Sequence, residues 1–381
     1  MGKKHRGIRK HKTKAFGKVE PGLSEKGPPK SPKLSNPLKP KITLSRPQCP
    51  PDVPPGSPIE NSAGFYPAGR LQNRTKQTLE HMLDISVVIL TYNEEIHIRR
   101  CLENVAPIAK EVYIIDSFSN DATADIARSL GAEVVFHEWP GNQAEQFNWT
   151  LDNIKFQTKW ILRLDADEYL LPELIEELQQ KLPLLSDETT GIIFKRRHIF
   201  MNKWMKRGIY PVKLLRAFRN GKGMCEQRLM DEHIELKEGT AVEFEHDFCD
   251  HNLNDLLWFC HKHVNYAIRE AVDLLDIELD LTRTAGNDNL RNISGQAKSK
   301  RMLKHRYAKE PLFWRAAAYF IYRYIFRGAC LDGTAGFLWT FIQGWWYRTL
   351  VDAKIYEIKK ACGTDKAKIK KYLQQNYHIT L

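Results

Sequence analysis

Between residues 85 and 90 the chain reads Ile-Ser-Val-Val-Ile-Leu, a nearly continuous β-branched run of the kind buried on both faces of a parallel sheet. A helix is predicted directly after it. Ile98, Cys101, Leu102 and Val105 recur at i, i+3, i+4 and i+7, Asn93 stands at a capping position, and Glu94 and Glu95 suit the positive helix end. The pattern then repeats: a strand over 112–115, a helix carrying Thr123, Ile126, Ala127 and Leu130 on one stripe and stopping at Gly131, and a strand over 134–136. A helix over 142–154, a strand over 160–164, a helix opened by Pro172 and a strand over 191–194 follow. Strand alternating with helix predicts right-handed βαβ units, hence an α/β fold with a mixed, mainly parallel sheet covered by helices.

After residue 194 the pattern loosens into Arg, Lys and aromatic residues up to about 236. Residues 253–279 look helical again, and 281–310 read as a loop or hinge. The stretch 312–358 is aromatic, with 13 Phe, Trp and Tyr within 311–350, interleaved with Arg315, Arg323, Arg327 and Arg348. Those arginines, with Asp332-Gly333 and Gly336, break any run of about 20 apolar residues, so no spanning helix is predicted. Helices lying in a membrane interface suit the mixture, because each such side chain has an apolar body and a polar tip. The alternative is a pair of helices packed on the protein's own core.

Charge refines this picture. The formal net charge is +12, but residues 1–80 hold 17 Lys and Arg against 5 Asp and Glu, so the remaining chain is neutral. The same segment has 13 of the 19 prolines and no apolar period, and is expected to be a disordered basic tail. Its start lacks the apolar core of a secretory signal. Anionic lipid or nucleic acid could attract it, or it is a solvated extension; a folded body without excess charge argues against nucleic acid as the main partner. Seven cysteines form no CxxC pair and are odd in number, which fits reduced thiols in a cytoplasmic protein.

In an open parallel sheet, ligands collect beyond the carboxyl ends of the strands. Here the first strand runs into Thr91-Tyr92-Asn93-Glu94, the second into Asp116-Ser117-Phe118-Ser119-Asn120-Asp121, and the fourth into Asp165-Ala166-Asp167-Glu168. No GxGxxG or GxxxxGK[ST] recommends a dinucleotide site or a P-loop. Asp165 and Asp167 are two apart at a strand end, so both carboxylates can address one hard cation, Mg2+ or Mn2+, that bridges two phosphates. His246, Cys249, His251, Cys260, His261 and His263 suggest zinc, but three of them fall on one predicted helix at spacings that do not converge.

Taken together, SVVILTYNEE, IIDSFSNDATADIA, WILRLDADEYLLPE and RLMDEHIEL resemble the glycosyltransferase family 2 enzymes, particularly the bacterial branch that builds lipopolysaccharide cores and capsular or exopolysaccharides. The resemblance covers about residues 84–270. It implies a GT-A fold, a nucleotide-sugar donor (usually a UDP-sugar), Mg2+ or Mn2+, and an inverting single displacement onto a saccharide or lipid-linked acceptor. By position, Tyr92 and Asp116 would hold base and ribose, with Thr91, Asn93 and Glu94 beside them and Gln146 and Asn148 on a donor-facing helix. Asp165 and Asp167 match the metal and diphosphate motif, Asp167 as the direct ligand. The base that takes the acceptor proton lies in the MDEH segment, Asp231 ahead of Glu232. Arg216 would hold the product phosphate or an anionic acceptor, and His251, Lys262 and Tyr266 would face the acceptor. Many relatives carry two carboxylates after the second strand, whereas Ser117 follows Asp116 here. The organisation expected is a tail over 1–80, a catalytic domain over 84–250 (donor half 84–195, acceptor half 196–250), a helical extension and hinge over 251–310, aromatic helices over 311–360 and a tail over 361–381. Such an enzyme would sit peripherally on the cytoplasmic face of the membrane. The competing expectation is an inactive sheet domain whose basic tail makes it a lipid- or nucleic-acid-binding adaptor.

Overall fold

The computed structural model describes residues 82–226, 232–282 and 295–381, and the basic tail lies outside them. Strands β1 (Leu83–Thr91), β2 (Ala109–Asp116), β3 (Glu133–Phe136) and β4 (Trp160–Asp165) pair in parallel in the order β3-β2-β1-β4. Beyond β4 the sheet continues through β8 (Val212–Arg219), β6 (Thr189–Phe200), β11 (Thr240–His251) and the short β5 (Glu168–Leu170), with antiparallel pairing at β8 and β5. Strand β7 (Lys203–Trp204) turns back on β6, while β9 (Gly223–Cys225) and β10 (Ile234–Leu236) form a separate ribbon.

Alternate residues of the central strands serve two cores, as the period of two requires. Ile85, Val87 and Ile89 face one, with α1 (Glu95–Val105), α2 (Thr123–Ser129) and α4 (Pro172–Lys181); Val88 faces the other, with α3 (Gln143–Asn153) and the β9–β10 ribbon. The expectation that Asn93 caps α1 fails. Asn93 adopts a left-handed φ of 57°, and the first N–H groups of the helix are held instead by the loop after β2, Glu94 N on Thr123 Oγ1 and Glu95 N on Asp121. The loosened stretch after residue 194 is not irregular: β6 runs on to Phe200 because its charged residues find partners, Arg197 on Asp247 at 2.5 Å and Arg196 near Asp250 at 3.6 Å.

The C-terminal third forms a helical layer. Helix α5 (Leu256–Leu279) packs on α9 (Tyr347–Cys362) through Ala267, Ala271 and Leu275 against Val351, Ile355 and Ile358. Two expectations are corrected here. The hinge predicted over 281–310 contains helix α6 (Gly295–Lys309), and the tail predicted over 361–381 contains helix α10 (Lys366–Tyr377), capped by Asp365 and anchored by fully buried Ile369 and Leu373. The many lysines of α10 hid its apolar stripe of Ile369 and Leu373. In the aromatic segment, which holds helices α7 (Trp314–Ile321) and α8 (Gly333–Thr340), three of the arginines are turned inward. Arg315 is paired with buried Asp352 at 2.5 Å, Arg348 reaches Glu270 at 2.7 Å, and Arg323 is buried. Asp332 binds Arg207 at 2.8 Å and so ties this layer to the sheet domain. Among the described residues no helix is long and apolar enough to cross a membrane.

Where β11 leaves register with β6 between Glu243 and Asp247, two backbone N–H groups lose their ladder partners. Buried Glu177 of α4 accepts both, from Glu245 N at 2.9 Å and His246 N at 3.0 Å, and also binds Lys181 and His246 side chains. Burial opposes the charge, but these donors win and hold the Glu177 carboxyl at about 2. A carboxyl depressed on folding contributes stability that is present above its unfolded value and lost as pH falls. Glu177→Gln is therefore expected to cost about 2–3 kcal/mol at pH 7. In denaturant titrations the gap to wild type should close as pH drops from about 4.5 toward 2; a gap independent of pH would refute this role.

Candidate active site

The loops after β1 and β2 are stitched into one ledge. Thr91 Oγ1 donates to Asp116 at 2.7 Å, Ser119 donates to the same carboxylate through N at 2.7 Å and Oγ at 2.6 Å, and Ser117 N binds Thr91 O at 2.9 Å. Asn93 closes the seam: its N–H donates to Ser119 Oγ and its side-chain oxygen accepts Asn120 N. Asp116 is thus wholly buried and organises the ledge from beneath. Tyr92 and Phe118 stand exposed upon it, and Phe118, also at a left-handed φ (59°), stacks on Phe136. Gln146 and Asn148 support from behind. Buried Gln146 binds Ser117 Oγ at 3.2 Å and His137 at 2.6 Å, and Asn148 pairs its amide with the backbone of Cys225.

At the end of β4 the acidic motif meets a set of arginines. Glu168 is buried in close contact with Arg216 and accepts Asp165 N at 2.9 Å; Arg216 also approaches Asp165 at 3.5 Å. Arg216 therefore sits under the motif as its counter-ion. Burial disfavours the Asp165 charge, yet Arg216, Arg163, Arg196 and Lys262 outweigh it and hold this carboxyl below the usual range. Asp167 goes the other way: burial and then the Asp250 and Asp165 charges push it up, with Asn252 donating to it at 2.9 Å. Burial likewise pushes Glu168 up to about 8, against the pull of Arg216.

These groups open into a cleft of ≈ 2030 Å³ between the sheet and the helical layer. Glu94, Asp165, Asp167, Arg216, Glu232, Lys262 and Tyr266 line it; Thr91, Tyr92, Asn93, Asp116, Gln146, Asn148 and His251 do not. Asp231 lies outside the described residues. His251 is held by Arg100 at 3.2 Å and Asn202 at 3.1 Å, while Lys262 lies over the Trp258 and Tyr266 rings. Sequence reasoning missed Asp250, Arg196 and His198. Asp250 stands opposite both Glu168 and His198 in the sheet and lines the cleft with Arg196 and His198. Its only signal was the alternation in His-Asp-Phe-Cys-Asp-His, which is unremarkable until β5 pairs with it.

Among the described residues no group of three His, Cys, Asp or Glu side chains could by itself hold a metal ion. That suits a magnesium-like cation, which commonly uses one or two carboxylates and takes its remaining ligands from phosphate and water. The mutual repulsion that raises Asp167 is what such a cation would relieve. Residues 86–245 match the family model described as Glycosyl transferase family 2. They are a glycosyltransferase family 2 domain.

The family 2 domain is similar to a protein of Rickettsia bellii (strain RML369-C) named as an uncharacterized glycosyltransferase, 43% identical over 96 residues, or 25% of this chain and 31% of that one. It is also similar to the lipopolysaccharide core biosynthesis glycosyltransferase LpsC of Rhizobium meliloti (strain 1021), 29% identical over 147 residues, 37% of this chain and 53% of LpsC. The chain thus spans about a third and about half of these relatives. Glucosyl-3-phosphoglycerate synthase from Mycobacterium tuberculosis, solved with Mn2+, UDP and glucosyl-3-phosphoglycerate, overlaps 35% of this chain and 50% of its own at 22% identity and a TM-score of 0.25, too low to inform residue roles.

Two substitutions should separate the ledge from the acidic motif of the family 2 domain. Asp116→Asn puts an amide donor among three donors in a buried site and should cost about 2–3 kcal/mol in chemical denaturation. Asp167→Asn should instead raise the melting temperature of the metal-free protein at pH 7. A carboxyl raised on folding is destabilising once ionised, and the substitution removes that charge. A destabilised Asp167→Asn would contradict the repulsion described here.

Proposed function

We propose that the family 2 domain transfers a sugar, with inversion, from a UDP-sugar to a saccharide or lipid-linked acceptor in cell-surface polysaccharide or lipopolysaccharide synthesis, assisted by Mg2+ or Mn2+. One observation carries this reading: Asp165 and Asp167 meet at the end of β4, at the mouth of a cleft large enough for a nucleotide sugar and an acceptor together. The relation to LpsC supports the choice of pathway.

The exposed rings of Tyr92 and Phe118 offer stacking faces for a base, on a ledge kept rigid by Asp116. Asp165 and Asp167 would hold the cation, which when bound neutralises charge growing on the departing diphosphate. Arg216 and Arg163 keep Asp165 ionised and ready to bind. The acceptor enters from the side of Lys262 and Tyr266, and its hydroxyl surrenders a proton to a carboxylate as the new bond forms; Asp231 is our choice for that base, with Glu232 beside it on the cleft wall.

We further propose that the enzyme works at the cytoplasmic surface of a membrane, where a lipid-linked acceptor would be reached. Trp314, Ile325, Phe326 and Leu331 of the helical layer are all more than half exposed, an unusual apolar display for a solvated face.

Asp167→Asn is expected to lower transfer from a radiolabelled UDP-sugar by about 100-fold or more while sparing the fold, and Asp231→Asn by about 10²–10⁴-fold with nucleotide affinity retained. Turnover of either variant within a few-fold of wild type would remove that residue from the scheme. In flotation with anionic liposomes, the pair Trp314→Glu and Phe326→Glu should stay with the soluble fraction where wild type floats. Equal flotation would end the membrane proposal.

A further inference from the structure

The walls of the cleft have unmet hydrogen-bonding capacity of one kind. Among the described residues six of its buried side-chain atoms lack a partner: Arg163 Nε, Arg196 Nε, Arg216 Nε, Arg348 Nε, Trp339 Nε1 and the Tyr307 hydroxyl. Five are pure donors and none is a carboxylate oxygen. Arg163 and Arg216 belong to the donor end, beside Asp165. Arg196 stands there too, near Glu168 and Asp250; Arg348, Trp339 and Tyr307 lie in the helical layer, where a nucleotide held on the ledge does not account for them.

In that layer the charges do not balance. Arg315, Lys304 and Arg348 are matched by Asp352, Glu270 and Asp273. Arg323 is left over. It is 3% exposed, its Nε and Nη2 have no hydrogen-bond partner among the described residues, and the groups that act on its charge are Tyr319, which also hydrogen-bonds it, and another cation, Arg348. Both guanidinium groups lie over the ring of Tyr319, at 5.4 Å for Arg323 and 5.7 Å for Arg348, and Tyr319 and Arg348 line the cleft. A buried guanidinium without a counter-ion is strongly unfavourable, and Arg323, set against the same ring as the Glu270-paired Arg348, calls for an anion beside it.

Resting on the transferase reading above, we propose that the acceptor carries a phosphate group and that Tyr319 and Arg348 on the cleft wall, backed by the buried charge of Arg323, form the subsite that receives it. Phosphate oxygens only accept, which matches a wall that only donates; neutral sugar hydroxyls would bring donors of their own. The subsite would fix the acceptor's reach toward the acidic motif through its charged end, and would reject neutral glycans of the same shape.

The test is thermal unfolding of the full-length protein held at saturating UDP and Mn2+, titrated with inorganic phosphate, glucose 6-phosphate, glucose, and vesicles containing phosphatidylglycerol. Phosphate and glucose 6-phosphate should raise the melting temperature saturably and glucose should not. Arg323→Met should raise the basal melting temperature by removing the unpaired charge, and should weaken the phosphate response about tenfold or more. The response to UDP and Mn2+ should be unchanged. If only the vesicles bind in an Arg323-dependent way, the phosphate comes from a lipid headgroup and the subsite stands. A lower basal melting temperature in Arg323→Met, or an undiminished phosphate response, would overturn the proposal. Should Arg323→Met not fold, Arg323→Lys carries the test: an affinity for phosphate about tenfold weaker supports the subsite, and an unchanged one overturns it. Loss of the UDP and Mn2+ response in wild type would instead defeat the transferase reading.

Discussion

The active edge depends on a buried ion pair. Glu168 of β5 and Arg216 of β8 meet beneath the acidic motif, and through the Glu168 carboxylate the backbone N–H of Asp165 is held at the end of β4. Three strands, the consecutive β4 and β5 and the distant β8, are joined by two side chains. Removing either partner would leave the other as an uncompensated charge in a dry site, which is why such pairs position more reliably than they stabilise. The same pair sets the electrostatics above it. Arg216 helps keep Asp165 ionised, while Asp167, whose charge is opposed by burial and then by Asp250, is pushed toward protonation. The two carboxylates of one short motif are therefore not equivalent.

Around this pair the molecule separates rigidity from access. The ledge after β1 and β2 is made rigid by short side chains that cross between loops, with Asp116, Ser119, Asn93 and Thr123 satisfying backbone and hydroxyl groups that loops would otherwise leave to water. The opposite wall is made of helices whose arginines and tyrosines interleave, and it closes the cleft without covering the acidic motif. Its inward arginines are matched by carboxylates except at Arg323, and its outward aromatics are left to whatever surface it meets.

Much of the edge around β1, β2 and β4 could be read in the linear chain. The run 85–90, the helix stripe from Ile98 to Val105 and the carboxylates after the fourth strand are local features, and local periodicity with the strand-end rule is enough to place them on one edge. The wall formed by β6 and β11 could not. Asp250, Arg196 and His198 sit on long strands whose charged residues read as exposed, and they turn toward the cleft because β11 lies between β6 and β5. Helices α6 and α10 were obscured by lysines, and Arg216 looked available for phosphate until its buried partner Glu168 was seen.

What the chain determined by itself was the α/β alternation, the acidic motif and the family resemblance, because each depends on residues within a few positions of one another. What only the tertiary structure decided was which charges meet: Arg216 with Glu168, Asp167 with Asp250, Arg315 with Asp352, and Arg323 with no carboxylate among the described residues. Burial and charge pairing are set by segments far apart in sequence, and no spacing rule along the chain carries that information.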